Sequence, residues 1–529
     1  MSYNHILVNQ VGFHCHSTKR FVITKTPETM EFTIVKTEHC KEIVKYTGML
    51  KEEISQTGNG YVGDFSELTE EGDYFIKCGT FKSRFFVIYQ GAYYHPIRVM
   101  LSYFTYQRCG NELGWAGKCH CEDSLTTETG ERIDLSGGYH QSCDLRKSPG
   151  GVSIGLYAMM RAALNDSTDY GQVLFKAEIE HACDYLIRLF SEEGFMRNTL
   201  SFPFGWGARE FYDSPAPSSG QWCATRFLAL ASLIIPENKE IYMRTALRSW
   251  EYLTSDRRSD EKYEHPAETP LGMDQASFFA LAYKGSTEDR AYQICCAADF
   301  YRATKDEAWL TYVKEAIHLD PYELTGNSLF SYSISTGIFF ALSDAAELCG
   351  ICKEQLREAA ESLILHMDDD LWRRPVMRRD RKMFDIQMVN HARQQYTIAD
   401  ISQDFIPIDD RYLYKFYSDK GISTNVTFSS LTGAFLEIAG NLLGETKYRK
   451  YAQYIADYLL GVNPMDASHI ESIGYNQIPR AAFGQFFPST PQIPGGVTVG
   501  FGVDSTHAEY DMPCVGSVMW LLSEIAKQR

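Results

Sequence analysis

Residues 85–110 read FFVIYQGAYYHPIRVMLSYFTYQRCG, and the hydrophobic pattern changes within this stretch. Its beginning completes the last of seven short β-rich runs, which are separated by Pro, Gly, Asn and charged residues. From Tyr94 onward the apolar residues recur at the spacing of one helix face, and Gly110 stands where such a helix would end. The residues on that face are Ile97, Met100, Leu101 and Phe104. We therefore predict an immunoglobulin-like β-sandwich over residues 1–92 and a mainly α-helical domain over residues 93–529.

The helical part contains about a dozen apolar or amphipathic segments without the strict short repeat of a solenoid. Its connections are long and rich in Gly, Pro and aromatic residues, for example residues 198–222 and 463–511. A toroid of paired helices accommodates this number better than a four-helix bundle does. Because long loops on a rigid scaffold usually carry binding and catalysis, we expect the functional residues in these connections.

The composition excludes some classes of partner. The chain has 529 residues and a formal net charge of −17, which argues against a nucleic acid, since that affinity comes from neutralising phosphates. No apolar run approaches the roughly 20 residues of a membrane span, and the first residues lack the pattern of a secretory signal. We expect a cytoplasmic protein with no membrane partner, in which the 14 cysteines stay largely reduced. Aromatic residues reach 13%, which suits stacking on flat apolar ligand faces.

Four residues within 32 positions could bind a metal: Cys109, Cys119, His120 and His140. Two thiolates and two imidazoles are a common tetrahedral set for structural Zn²⁺. The spacing matches no zinc finger, so a helix cap at Cys109 and ordinary loop positions for the others are the alternative.

Two acidic residues stand next to predicted helix starts. Asp144 lies in GGYHQSCDLRK, residues 137–147, a tight glycine-rich loop that can present a carboxylate to a cleft. Glu509 lies in HAEYDMP, directly before the last apolar helix. The alternatives are an Asp that binds backbone N–H groups of its own loop and an acidic first helical turn favoured by the helix dipole.

Several motifs occur in the order found in glycoside hydrolase family 9, which includes cellulases and exo-acting oligosaccharide hydrolases. ILVNQVGF and the following KRFVI resemble the immunoglobulin-like module ahead of many of its catalytic domains. QRCG, CH and DLSGGYHQSCD resemble the family's QRCG, CH and D-x-S-G-G-W-H-D-A-G-D segments, LLGVNP its penultimate-helix ending, and EYDMP its catalytic glutamate segment. The resemblance implies an (α/α)₆ barrel behind the sandwich and hydrolysis with inversion.

The resemblance also implies residue roles. Asp144 matches the second aspartate of D-A-G-D, the general base on a water, and Glu509 matches the general acid. Inversion needs these two carboxyl groups roughly 6.5–9.5 Å apart so that the water fits between them. The acid needs a raised pKa so that it still holds its proton near neutral pH.

This sequence departs from the family pattern at two places. Gln141 replaces the first aspartate of D-A-G-D; its amide can accept a hydrogen bond from the attacking water but carries no charge. We expect a slower or differently tuned base, unless Asp123 or Asp134 compensates. The His-His-Arg segment that cellulases carry after N-P is absent, which favours the exo-acting branch.

The resemblance therefore implies an inverting exo-β-glycosidase acting on short β-linked glucosyl or glucosaminyl oligosaccharides. The alternatives are an endo-β-1,4-glucanase (a cellulase) and a carbohydrate-binding protein whose site has decayed at Gln141. A sugar epimerase on the same barrel would normally call for paired active-site histidines.

The remaining implied residues concern metal and sugar. Some family members hold a structural zinc at positions that correspond to the four cysteines and histidines named above, with Cys121 or Cys143 as substitutes here, and no catalytic cofactor is expected. We expect the sugar-contacting residues among Tyr139, Trp206, Trp222, Arg480 and Tyr510.

Overall fold

The structure is a computed structural model. It describes residues 5–111, 117–142, 145–200, 210–216, 218–258, 284–285, 287–318, 336–380, 406–407, 412–416, 425–478, 492–498 and 510–527.

Ten short strands between residues 5 and 88 form two facing sheets. They are β1 (Ile6–Val8), β2 (Gly12–Phe13), β3 (Arg20–Ile23), β4 (Glu31–Glu38), β5 (Lys41–Met49), β6 (Lys51–Ser55), β7 (Gly58–Asp64), β8 (Gly72–Cys78), β9 (Phe81–Lys82) and β10 (Phe86–Ile88). One sheet has the order β1-β3-β7-β6; the other has the order β2-β10-β8-β4-β5, with β9 beside β8. Edge-to-face phenylalanine contacts fill the space between the sheets, as in the pair of Phe13 and Phe65 at 5.4 Å. The predicted immunoglobulin-like sandwich is confirmed.

The first of the seven predicted β-rich runs, HILVNQVGF at residues 5–13, divides into two strands that belong to different sheets. The side chain of Asn9 causes this break, because its Oδ1 accepts hydrogen bonds from the backbone N–H groups of Val11 and Gly12 at 3.0 and 3.1 Å. The chain therefore turns after β1, which pairs with β3, and enters the other sheet as β2, which pairs with β10.

Twelve α-helices follow in the described part of the chain. They are α1 (Tyr94–Tyr106), α2 (Pro149–Asn165), α3 (Asp169–Leu189), α4 (Ser218–Ile234), α5 (Lys239–Thr254), α6 (Thr287–Thr304), α7 (Glu307–Ala316), α8 (Thr336–Cys349), α9 (Lys353–Ile364), α10 (Asn425–Leu443), α11 (Thr446–Leu459) and α12 (Met512–Ala526). The even-numbered helices contact one another in the order α2, α4, α6, α8, α10, α12 and back to α2. The odd-numbered helices pack outside this ring. The predicted (α/α)₆ barrel is confirmed.

Short strands also lie in the connections of the barrel. They are β11 (Ser124–Thr126), β12 (Arg132–Asp134), β13 (Arg197–Leu200), β14 (Glu210–Pro215), β15 (Val376–Asp380), β16 (Ile406–Pro407) and β17 (Tyr412–Phe416). They pair as β11 with β12, as β13 with β14, and in the order β15-β17-β16.

Most residues of the inner helices are buried because these helices are surrounded by protein. Every residue of α12 is buried, and α12 crosses α2 where two glycines meet: a Cβ on Gly516 would lie 2.4 Å from the carbonyl oxygen of Gly155. In the described residues one segment, Val426–Leu443 of α10, is long and apolar enough to cross a membrane, and 72% of it is buried inside the barrel. Its apolar composition is accounted for by its place in the inner ring.

The sandwich is fastened to the barrel near the end of α11. The backbone N–H of Gln10 donates to the carbonyl oxygen of Leu460 at 2.7 Å, and its side-chain amide donates to that of Asp466 at 2.8 Å. Asn9 donates to the Asp457 carboxylate at 2.9 Å. These bonds brace residues 460–478, which follow α11 on the way to the last inner helix.

Candidate active site

The two ends of the barrel differ in their connections. Every connection from an inner helix to the next outer helix is short: residues 166–168, 235–238, 305–306, 350–352 and 444–445. Among the helices that the structure describes, a longer stretch of chain separates each outer helix from the next inner helix, and the six inner helices begin at that end. We call it the loop end. The positive poles of six helix dipoles and the long loops meet there, which makes it the natural place for a site.

Several loop segments are joined side by side at the loop end. Ser142 forms an antiparallel bridge with Asp511, and the backbone N–H of Met512 donates to the carbonyl oxygen of Gln141 at 2.9 Å. Further bridges join Tyr510 to Thr498 and Val497 to Ile470. The segments that flank both predicted catalytic acids are therefore neighbours, each leading into one of two adjacent inner helices, α2 and α12. The acids themselves, Asp144 and Glu509, lie outside the described residues, as do Trp206, Arg480 and Cys143.

The side chain of Gln141 lies over the start of α2. It is buried, and a Cβ placed on Gly151 would come within 2.5 Å of its amide. Its Oε1 accepts a hydrogen bond from Arg146 Nη2 at 3.3 Å, while its backbone N–H donates to the carbonyl oxygen of Arg146 at 2.7 Å. The guanidinium of Arg146 therefore binds the amide oxygen that stands in place of the family's aspartate.

Asp123 and Asp134, which could compensate for Gln141, both form ion pairs. Asp123 is fully buried and accepts from Lys147 Nζ at 3.0 Å, and that Nζ also donates to the carbonyl oxygen of Leu135 at 2.6 Å. Asp134 is exposed and pairs with Arg188 at 3.0 Å. Arg188 and a hydrogen bond from Ser136 lower the pKa of Asp134, with the bond from Ser136 the larger cause. Both carboxylates are therefore engaged as structural partners of cationic side chains.

The four predicted metal ligands do come together. One donor atom from each of Cys109, Cys119, His120 and His140 lies within 4.8 Å of the others, and Cys119 Sγ is 3.1 Å from His140 Nε2. Both ring nitrogens of His120 are buried without a hydrogen-bond partner. The thiol of Cys109 hydrogen-bonds to Cys119 and is the largest cause that lowers the pKa of Cys119, to about 2, so that Cys119 is a thiolate. An orphaned imidazole beside a thiolate is a donor set that fits a metal ion.

Cys121, considered as a substitute ligand, is exposed, and its Sγ donates to the carbonyl oxygen of Cys119 at 3.4 Å. It is not part of the group of four donors.

A buried carboxylate on the outer helix α3 fastens the residues next to the cluster. Glu178 accepts from Arg108 at 3.1 and 2.9 Å and from the Tyr139 hydroxyl at 2.7 Å. Arg108 and Tyr139 also form an antiparallel backbone bridge, and Cys109 and His140 follow it on the two paired segments, so the bridge holds both of these residues close to it. Tyr139 has no exposed surface, so the prediction that it contacts sugar is corrected: its ring belongs to the barrel wall.

Trp222 is also corrected from sugar contact to core. It lies in α4, is fully buried, donates from Nε1 to Asp289 at 2.9 Å, and packs edge-to-face on Trp250 at 5.6 Å. Tyr510 is 1% exposed, and its hydroxyl donates to Glu471 at 2.6 Å. Its side chain therefore faces protein rather than sugar, and its position next to Glu509 in the chain is its connection to the site.

Two further buried acids were not predicted from the sequence. Glu471 binds Tyr510 across 39 positions, a separation that no local motif reveals. Glu288, in the first turn of α6, is buried with both carboxyl oxygens unpartnered; burial, and secondarily Asp289, raises its pKa well above the ordinary value. Burial therefore favours the neutral form of this carboxyl group. Its burial depends on the packing of α6 among neighbouring elements, which the local sequence does not indicate.

Comparison with known proteins agrees with this architecture. Residues 93–487 match the family model for glycosyl hydrolase family 9, and residues 2–83 match the cellulase N-terminal ig-like domain. The chain therefore belongs to glycosyl hydrolase family 9, a family of inverting glycoside hydrolases that act on carbohydrates.

One curated relative matches part of the chain, and two solved structures match nearly all of it. A cellodextrinase of Butyrivibrio fibrisolvens is 31% identical over 214 residues, which are 36% of this chain and 38% of that protein. The match thus spans well under half of that relative. A single mutant of a thermostable endoglucanase from Alicyclobacillus acidocaldarius has a TM-score of 0.67 at 18% identity, with 99% of each chain covered. A Zn-binding triple mutant of the family 9 endoglucanase J30 has a TM-score of 0.67 at 18% identity, covering 98% of this chain and 100% of that one.

Proposed function

We propose that this protein is an inverting exo-β-glycosidase that hydrolyses short β-linked glucosyl or glucosaminyl oligosaccharides, with Asp144 as general base and Glu509 as general acid. The observation that carries the proposal is the hydrogen-bonded pairing of Gln141 and Ser142 with Asp511 and Met512. A base and an acid must flank one glycosidic bond, and this pairing joins the two segments that carry them.

In this reaction Asp144 takes a proton from a water molecule, and the water oxygen attacks the anomeric carbon. Glu509 gives its proton to the glycosidic oxygen, which leaves on the opposite face, so the anomeric configuration inverts. The amide of Gln141 accepts a hydrogen bond from Arg146 but is not basic enough to take a proton, so Asp144 is the proposed proton acceptor of its segment.

The proposed substrates are short oligosaccharides. The match to a cellodextrinase supports short β-linked glucosyl chains, since cellodextrins are such chains. The test is incubation of purified protein with cellobiose through cellopentaose and with the matching glucosamine oligomers. Release of monosaccharide as the first product from every chain length is expected. A mixture of intermediate lengths from the start would mean endo action, and binding without cleavage would mean a decayed site.

The roles of the two acids are tested by Asp144→Asn and Glu509→Gln. Each is expected to lower kcat by about 10²- to 10⁴-fold, the usual contribution of an acid or base in the transition state. Asp184→Asn, on the exposed face of α3, is the control and should retain activity. Full activity in either active-site variant would remove that residue from the mechanism.

We also propose that the cluster holds a structural Zn²⁺ on Cys109, Cys119, His120 and His140. The ion would cross-link two loop segments and would take no part in the hydrolysis of the sugar. A four-donor N₂S₂ set within 4.8 Å supports zinc over harder cations, which prefer oxygen. The proposal includes a cytoplasmic location, because Cys109 and Cys119 must remain reduced to bind the metal. Near-stoichiometric zinc by elemental analysis of protein purified without chelator is expected; its absence would contradict the site.

A further inference from the structure

A buried hydrogen bond joins the residue next to the proposed acid to a distant carboxylate. The hydroxyl of Tyr510 donates to Oε2 of Glu471 at 2.6 Å, within the distance range of a well-formed O–H···O hydrogen bond. Tyr510 is 1% exposed and Glu471 is 5% exposed. The bond is therefore shielded from water, where such bonds are strongest.

Glu471 is itself held in place. Its backbone N–H donates to the carbonyl oxygen of Gly496 at 2.8 Å, and the N–H of Gly495 donates to its carbonyl oxygen at 3.0 Å. The side-chain amide of Gln492 donates to its Oε1 at 3.1 Å. Both oxygens of the carboxylate are therefore engaged, and the group is a fixed acceptor for Tyr510.

Tyr510 is fixed by its backbone as well. It forms a bridge with Thr498, and the next residue, Asp511, forms a bridge with Ser142. The tyrosine ring packs edge-to-face on Tyr103 of α1 at 6.4 Å. Tyr510 directly follows Glu509 in the sequence. The chain on the C-terminal side of the proposed acid is therefore anchored by Thr498, by Ser142 and by Tyr103.

We propose that Glu471 is a positioning residue for the general acid and acts through Tyr510 on Glu509. The inference rests on the proposed function. Burying a carboxylate costs free energy, and an apolar pair of similar volume would often pack at least as stably. What the pair adds is a defined position, and a shift of about 1 Å in a catalytic group can cost about 100-fold in rate.

The test compares substrates that differ in their need for an acid. A disaccharide has a poor leaving group that must be protonated. A 2,4-dinitrophenyl β-glycoside releases dinitrophenolate, a good leaving group that needs no proton from the enzyme. Tyr510→Phe removes the hydroxyl and keeps the ring. It is expected to lower kcat on the disaccharide by about 10- to 100-fold and on the dinitrophenyl glycoside by less than about threefold, with KM changed by less than about twofold.

Two variants at Glu471 sharpen the test. Glu471→Ala should reproduce the effect of Tyr510→Phe, and the double variant should lose no more than either single variant, because both remove one interaction. Glu471→Gln keeps an acceptor for the Tyr510 hydroxyl and should recover much of the disaccharide activity. If Glu471→Ala does not fold, Tyr510→Phe alone still decides the outcome.

Tyr448→Phe is the matched control. Tyr448 is buried on α11 and donates to Glu361 of α9 at 2.6 Å, the same pair of residue types away from the loop end. Its loss should leave the ratio of the two activities unchanged. Equal losses on both substrates in Tyr510→Phe, or no loss on either, would overturn the inference. Failure of the unaltered protein to cleave any glycoside would instead refute the proposed function.

Discussion

Two segments at the loop end are anchored by the same residue pair, a buried tyrosine that donates to a buried glutamate. In the cluster segment, the described part of residues 107–142, Tyr139 binds Glu178 at 2.7 Å. In the acid segment, the described part of residues 468–511, Tyr510 binds Glu471 at 2.6 Å. The tyrosine in each case stands beside a residue of the site, His140 in one and Glu509 in the other.

The surroundings of the two pairs differ. Glu178 belongs to a helix and also accepts from the guanidinium of Arg108, and the cluster segment carries four potential metal ligands. Glu471 belongs to a loop and accepts from the amide of Gln492. The cluster segment thus combines an ionic anchor with a potential metal cross-link, while the acid segment is anchored by hydrogen bonds between loops and by the sandwich behind it. We expect the first to respond to metal removal and the second to changes at single hydrogen bonds.

Loss of the metal ligands should have the largest effect. His140→Ala removes one of four donors, so bound zinc should fall from near one per chain to near zero. The free energy of unfolding should fall by several kcal/mol, because binding energy at a structural site is folding energy. Elemental analysis and denaturant unfolding with and without a chelator measure this. A chelator that leaves the stability of the unaltered protein unchanged would contradict the metal cross-link.

Removal of the ionic anchor should come next. Glu178→Ala removes the carboxylate that binds Arg108 and Tyr139. It should destabilise the protein by about 3 kcal/mol, because the partly buried guanidinium of Arg108 then lacks its compensating charge. Urea unfolding is the measurement. Glu178→Gln, which keeps an acceptor for Tyr139, should lose less, and equal losses in the two variants would argue against the ionic contribution.

The bracing of the acid segment by the sandwich should depend on pH. Burial is the main cause that raises the pKa of Asp457 from 3.8 to about 7, opposed by hydrogen bonds from Asn9 and Gln453 and by the charge of Arg20. A carboxyl group with a raised folded pKa costs no stability below pH 4. It lowers the free energy of unfolding progressively between about pH 4 and pH 7, because in this range Asp457 is ionised in the unfolded chain and still protonated in the folded one.

Asp457→Asn should therefore stabilise the protein at pH 8, where the buried carboxylate is ionised, and have little effect at pH 4. Thermal unfolding across this range checks it, with Asp184→Asn as the exposed control. A constant difference at all pH values would show that Asp457 does not titrate in this way.

The smallest effect is expected from restoring the family aspartate in the cluster segment. Gln141→Asp puts a second negative charge near Asp144, which should raise the pKa of that base and move the acidic limb of the pH profile of kcat/KM upward. The rate should change by several-fold, about 1 kcal/mol. An unchanged profile would mean that Arg146 neutralises the new charge.

Much of the architecture could be predicted from the sequence, since the change of hydrophobic period at Tyr94 is local and separates sandwich from barrel. The grouping of Cys109, Cys119, His120 and His140 was also predictable, because their residue types suggested it and the resemblance implied it. Contacts across the fold were not: Tyr139 and Trp222 look like loop aromatics, but they are buried against Glu178 and Asp289. Likewise, Glu471 and Glu288 lie in segments without a motif, and their burial depends on helices distant in the chain.

The central claim is that two carboxylates act from opposite faces of one glycosidic bond. Proton NMR of the sugar released from a β-linked oligosaccharide, recorded before the anomers equilibrate, tests it most directly. The α-anomer is expected to appear first, and the β-anomer to grow in later by mutarotation. A β-anomer as the first product would rule out this pair of roles.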